Sequence, residues 1–130
     1  MTRWIWRKSR DSRHFAASPP ALPNPMLELR PNCELCDVDL PPDAVNVRIC
    51  SYECTYCAVC ADEVLKNVCP TCGGGLAPRP VRPRRAYHHP HISLGLSFHP
   101  ASDVRKHSRW SRDQIAAMTA RLKDVSPQNR

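Results

Sequence analysis

The chain holds four glycines and few aromatic residues: three Trp, three Tyr and two Phe among 130 residues. No run approaches the roughly 18 apolar residues of a membrane-spanning helix, so no membrane partner is expected. The basic opening Met1-Thr-Arg-Trp-Ile-Trp-Arg-Lys8 leads into no apolar stretch of about seven or more residues. No secretory signal is therefore expected, and a cytoplasmic location is. Phosphate-loop glycines, a Ser/His/Asp set and paired catalytic carboxylates in a plausible pocket are also missing. The expectation is a protein that is not an enzyme and has no small-molecule substrate. Fourteen prolines against four glycines indicate extended stretches rather than many packed elements.

What the chain does have is concentrated. All eight cysteines lie between Cys33 and Cys72, spaced C-x2-C-x13-C-x3-C-x2-C-x2-C-x8-C-x2-C. A core this small buries too little apolar surface to offset chain entropy and needs metals or disulfides as staples. In a reducing cytoplasm, C-x2-C pairs read as metal ligands. Eight thiolates supply two closed tetrahedral zinc sites, so two Zn²⁺ per chain are expected. A closed site has no position for water or substrate and is structural. Iron bound at similar knuckles, and disulfides, are the alternatives.

Two pairings are compatible with the spacing. The interleaved one puts Cys33, Cys36, Cys57 and Cys60 on one ion and Cys50, Cys54, Cys69 and Cys72 on the other. The sequential one groups Cys33/Cys36/Cys50/Cys54 and Cys57/Cys60/Cys69/Cys72. The interleaved pairing is favoured here, with a short helix after Cys60 set between the two sites.

The stretches between ligands suggest their structure. Val45-Asn-Val-Arg-Ile-Cys50 alternates apolar and polar residues and predicts a strand, with Cys54–Cys57 as its hairpin partner across Ser51–Glu53. Ala58 to Lys66 lacks Gly and Pro and predicts a helix of about two turns, with Asn67 as its stop. In Cys69-Pro-Thr-Cys72-Gly-Gly-Gly the proline fixes the turn and the glycines permit positive φ. Ser111 with Gln114 fits a capping box, and Ile115, Met118 and Leu122 share one face of a helix over 111–123. The organisation expected is a disordered basic leader over 1–25, containing Trp4 and Trp6, and a two-zinc module over 26–78. A basic Arg/Pro/His-rich extended arm over 79–110, the helix over 111–123 and a tail over 124–130 follow.

The cysteine spacing is similar to that of a RING-type finger, with Cys54 where a histidine is usual and Tyr56 where an aromatic commonly precedes the fifth ligand. More specifically, Met26-Leu-Glu-Leu-Arg-Pro-Asn-Cys33-Glu-Leu-Cys36-Asp-Val-Asp-Leu-Pro-Pro-Asp43 resembles the bacterial family known as domain of unknown function 1272. So do Arg48-Ile-Cys-Ser-Tyr-Glu-Cys54-Thr-Tyr-Cys57 and Val68-Cys-Pro-Thr-Cys-Gly-Gly74. The resemblance covers about 26–80, with a weaker echo at His99-Pro-Ala-Ser102. It implies a zinc-binding fold and no established activity. Members of the family begin at the equivalent of Met26, which implies an upstream mis-called start for residues 1–25. Glu34 after the first ligand, and Asp62 and Glu63 on the helix, depart from the apolar surface of ubiquitin-ligase fingers.

Charge is segregated. Residues 1–30 carry a net +4, residues 31–78 a net −5 and residues 79–130 a net +8. Eight zinc-bound thiolates would make the centre more acidic still. The fold expected is a small metal-stabilised α+β, RING-like or treble-clef module, with a short hairpin, one short helix and disordered flanks. The function expected is a protein–protein interaction platform, its sign set by Asp37, Asp39, Asp43, Asp62 and Glu63. One alternative is a nucleic-acid accessory protein contacting phosphate through Arg79, Arg82, Arg84 and Arg85, with Tyr87 stacking on a base. Another is a thiol-redox or zinc-buffering protein. His88, His89 and His91 read as an exposed tail cluster rather than a third metal site.

Overall fold

A computed structural model describes residues 26–130; the leader over 1–25, with Trp4 and Trp6, lies outside the described residues. Three short strands form one antiparallel sheet in the order β2-β1-β3. They are β1 (Val47–Ile49), β2 (Thr55–Cys57) and β3 (Ala77–Pro78). The β1–β2 hairpin pairs Val47 with Cys57, Arg48 with Tyr56 and Ile49 with Thr55. Its turn is closed by Cys50 N–H donating to Cys54 O and Glu53 N–H to Cys50 O, with Glu53 at φ 73°. β2 is covered on both faces, so Thr55, Tyr56 and Cys57 are all buried. The hairpin follows the sequence expectation, and β3 is an addition to it. Ala77 and Pro78 pair with Ile49 and Arg48, at the edge where a proline is tolerated in a ladder.

After β2 the chain turns helically through Ala58 and Val59 and continues as a π-helical segment, Cys60–Val64. The wide winding shows in Leu65 N–H, which donates to Cys60 O. π-turns occur mostly as single turns at functional sites, and here the turn begins on a cysteine. Lys66 and Asn67 then take left-handed φ values of 50° and 65°, ending the helix where Asn67 was expected to. The Asn67 side chain accepts from Leu76 N–H and ties the second knuckle back to the sheet. Leu40, Val47, Tyr56, Ala61, Leu65, Leu76 and Ile115 pack among the cysteines as one core.

The C-terminal part differs from the expected loose flank. Residues 79–110 contain little regular secondary structure, yet they are tied to the module. Arg79 N–H donates to Val47 O, Ser102 N–H to Leu29 O and Ser108 N–H to Glu34 O. Asn32, fully buried, donates from Nδ2 to Lys106 O at 2.8 Å and accepts from Lys106 N–H at 3.2 Å. The helix α1 (Arg112–Leu122) begins on the full Ser111/Gln114 capping box. Ile115 inserts into the core, and Thr119 Oγ1 donates to Leu65 O. The last residues form a 3-10 turn, Pro127–Asn129, and Arg130 donates to Asn67 O and Gly73 O.

Candidate metal centre

The folding of the hairpin decides which cysteines meet. Cys33, Cys36, Cys57 and Cys60 place their sulfurs within 4.8 Å of one another. Cys50, Cys69 and Cys72 form a second group within the same limit. The first knuckle is thus joined to the pair after β2, and the hairpin turn to the last knuckle, which is the interleaved arrangement. Cys54 falls outside the compact group, although the neighbouring Cys50 thiol pushes its pKa up. All eight thiols are free. Among the described residues these two groups are the clusters able to hold a metal ion.

The donor geometry suits a tetrahedral ion. For metal–sulfur bonds of about 2.3 Å, the edge of a tetrahedron is about 3.8 Å. Cys36 Sγ and Cys57 Sγ stand 3.8 Å apart, far beyond the S–S length of a disulfide near 2.05 Å. Backbone N–H groups also point at the sulfurs, as the knuckle turns predict. Leu35 and Cys36 donate to Cys33, Cys60 to Cys57, Tyr52 to Cys50 and Gly74 to Cys72, all at 3.3–3.4 Å. Such donors orient thiolates and spread their charge. Gly73 follows the last knuckle at φ 79°, the conformation its glycine permits.

The thiols of each group shift one another's proton equilibria. Hydrogen bonds from Cys54 and Cys69 pull the Cys50 thiol down to about 2, and the same contacts with Cys50 push Cys69 and Cys54 up. In the first group, burial opposes ionisation of Cys33, but the N–H groups of Cys36, Cys57 and Leu35 outweigh it and lower its pKa. Burial and the neighbouring Cys33 then push Cys60 up. Burial likewise pushes Cys72 up to about 12. Clustered thiolates in a low dielectric repel one another, so ionising one thiol disfavours ionising its neighbours. Tyr56, 1% exposed, lies against the second group, and burial with the nearby Cys69 raises its hydroxyl pKa.

Around the sulfurs lies a polar frame that sequence reasoning missed. Glu34 follows the first ligand, where ubiquitin-ligase fingers carry an apolar residue. It is turned inward, 8% exposed, accepting from Arg30 at 2.7 Å and from Thr55 N–H at 2.8 Å. Arg30 also binds Glu28, which binds Lys106. On the outer side, Arg105 grips Asp39 at 2.7 Å and Asp37 at 2.9 Å, and His107 Nε2 lies 3.0 Å from Asp37. The hydrogen bonds from Arg105 and His107 hold the Asp37 carboxyl below its usual range. Asp62 pairs with Arg48. Much of the expected acidic face is therefore engaged by the chain's own arginines.

The arginine arm needs correcting. Arg79, expected to contact phosphate, is 5% exposed and donates to Arg30 O and Pro41 O at 3.0 Å. Burial lowers its pKa. Its guanidinium cross-links the first knuckle to β3 and is turned away from solvent. Arg82 is half-buried and donates to His99 O and Leu27 O. Arg84, Arg85 and Tyr87 are exposed, as expected. His88, His89 and His91 are exposed too, with His89 stacked on Phe98.

Among the described residues no helix is long and apolar enough to cross a membrane. The family model described as "Protein of unknown function (DUF1272)" matches residues 26–82. An uncharacterized protein of Rhizobium meliloti (strain 1021) is 62% identical over 80 residues, which is 62% of this chain and 84% of that protein. No solved structure matches the chain.

Proposed function

This chain belongs to the DUF1272 family, and we propose that it is a non-catalytic zinc module, RING-like in its interleaving, that serves as a protein–protein interaction platform. The observation that carries this reading is the grouping of all-thiol ligands into two separate clusters. Two Zn²⁺ are proposed, one held by Cys33, Cys36, Cys57 and Cys60, the other by Cys50, Cys69 and Cys72 with Cys54 as fourth ligand. Four thiolates saturate zinc and leave no coordination position for water or substrate. The metal's role is then to build a surface. A bacterial cytoplasm, where thiols stay reduced and available to a metal, is the compartment proposed.

The nucleic-acid reading keeps one supporting feature, the exposed trio Arg84, Arg85 and Tyr87, but loses Arg79 and most of Arg82 to internal bonds. Phosphate contacts release counterions, so binding through two arginines would weaken with salt in a predictable slope. The deciding experiment is metal content of protein purified under reducing conditions without added metal, with folding followed during chelation. Two zinc per chain and unfolding on chelation are expected. One metal per chain, or a fold retained after complete metal removal, would overturn the reading.

A further inference from the structure

We propose that the loop Pro83–His99 is the docking surface of this platform, and that its occupant is a partner-protein segment combining an apolar anchor with carboxylates. The loop is a built tongue. Its base is closed by Leu96 N–H donating to Pro83 O at 2.8 Å, and Arg82 pins it to His99 O and Leu27 O. Inside it, Ile92 N–H donates to His88 O and His99 N–H to Gly95 O. Gly95 is buried at φ 112°, where a Cβ would stand 2.7 Å from Arg85 O, so the tight approach of the two limbs depends on glycine.

What this closed loop displays is unusual for a free surface. Tyr87 is 76% exposed, Leu94 55%, Ile92 50% and Phe98 46%. Clustered apolar exposure marks interaction sites more often than bare surface. Tyr87, Ile92 and Leu94, with Pro83, Arg85 and His88, line an apolar cleft of about 200 Å³. Small-molecule sites run to roughly 300–1,000 Å³. A cleft of this size suits one anchoring side chain instead.

Charge selects the partner. From Val64 to Ser102 the chain contains no Asp or Glu. Three arginines find carboxylates, Arg30 with Glu28 and Glu34, Arg48 with Asp62 and Arg105 with Asp37 and Asp39, and Arg79, Arg82 and Arg130 donate to backbone carbonyls. Among the described residues neither Arg84 nor Arg85 has such a partner, and both border the apolar cleft or its base. An acidic segment with an aliphatic or aromatic anchor satisfies both features together. Two unpaired arginines beside a concave apolar cleft favour such a peptide over a nucleic acid, which asks for an extended basic track.

The proposal rests on the platform reading, and its test separates the two. The full zinc-loaded chain is used to select peptides from a random phage-displayed library, with counter-selection on an Arg84→Ala/Arg85→Ala variant. Enriched peptides are then titrated by fluorescence anisotropy against wild type, that variant and Tyr87→Ala/Leu94→Ala, with a labelled oligothymidylate as comparison. The expected result is enrichment of net-negative peptides carrying a large apolar residue, weakened about tenfold or more by either variant. Zinc content and melting temperature should be unchanged. Enriched peptides that bind all three proteins equally would overturn the tongue and leave the platform standing. No peptide enrichment, with oligothymidylate bound through Arg84 and Arg85, would overturn both. Self-association lost in the tongue variants would assign the surface to a second copy and overturn the peptide.

Discussion

Replacing Glu34 with alanine tests whether the polar frame around the first knuckle is part of the fold or decoration. Its carboxylate accepts from Arg30 at 2.7 Å and from Thr55 N–H at 2.8 Å, and it is 8% exposed. Truncation removes one half of a buried ion pair, which commonly costs about 3–5 kcal/mol, much of it the uncompensated charge left behind. Here Arg30 keeps Glu28 at 2.9 Å, so the charge term falls toward the lower part of that range. The N–H of fully buried Thr55 is orphaned, at about 1–3 kcal/mol. A net loss of about 3 kcal/mol follows, or a fall in melting temperature of about 10 °C or more for a domain of this size. Glu34→Gln keeps an acceptor for Thr55 and loses only the charge, so it should cost about half as much. The assay is thermal unfolding of the zinc-loaded protein followed by circular dichroism. A Glu34→Ala loss within about 0.5 kcal/mol of wild type would refute the reasoning, since that is the scale of an unconstrained surface site.

Other outcomes follow from the same contacts. Ile115→Ala should cost about 2–4 kcal/mol by opening a cavity under α1, and Ser111→Ala about 1 kcal/mol by removing the cap, both read from urea unfolding. Gly95→Ala should strain the tongue by about 1–3 kcal/mol locally. Raised amide exchange confined to 83–99, with metal content unchanged, is the check. Acidification should release metal, because thiolate ligands must be deprotonated to bind. Metal affinity is therefore full at neutral pH and falls as pH falls, measurable with a colorimetric zinc indicator; metal retained at pH values below the carboxylate range would contradict all-thiolate ligation. Arg105→Ala, which breaks exposed pairs with Asp37 and Asp39, should cost no more than about 1 kcal/mol and lose even that in high salt.

The metal knuckles, the hairpin and the capping box of α1 were legible in the sequence because each is governed by local rules. Ligand spacing, period-two alternation around Val47 and Ile49, and the Ser111/Gln114 pair act within a few residues. What was not legible depends on distant polar partners. Arg79 sits in an arginine–proline run that reads as an exposed arm, yet carbonyls of Arg30 and Pro41 take it inward. Glu34 follows a surface knuckle but faces Arg30 and Thr55, and Asn32 reaches Lys106 across a loop of more than seventy residues. No periodicity announces such contacts. β3 is only two residues long and contains a proline, so its composition argued against a strand. The π-winding begins on Cys60, whose sulfur lies beside those of Cys33, Cys36 and Cys57.

The most direct test of the two-centre account is correlation spectroscopy of protein loaded with NMR-active cadmium in place of zinc. Two cadmium resonances in the tetrathiolate range are predicted. One should couple to the β-protons of Cys33, Cys36, Cys57 and Cys60, the other to those of Cys50, Cys54, Cys69 and Cys72. A single resonance, or one ion coupled to Cys33 and Cys36 together with Cys50 and Cys54, would contradict the account.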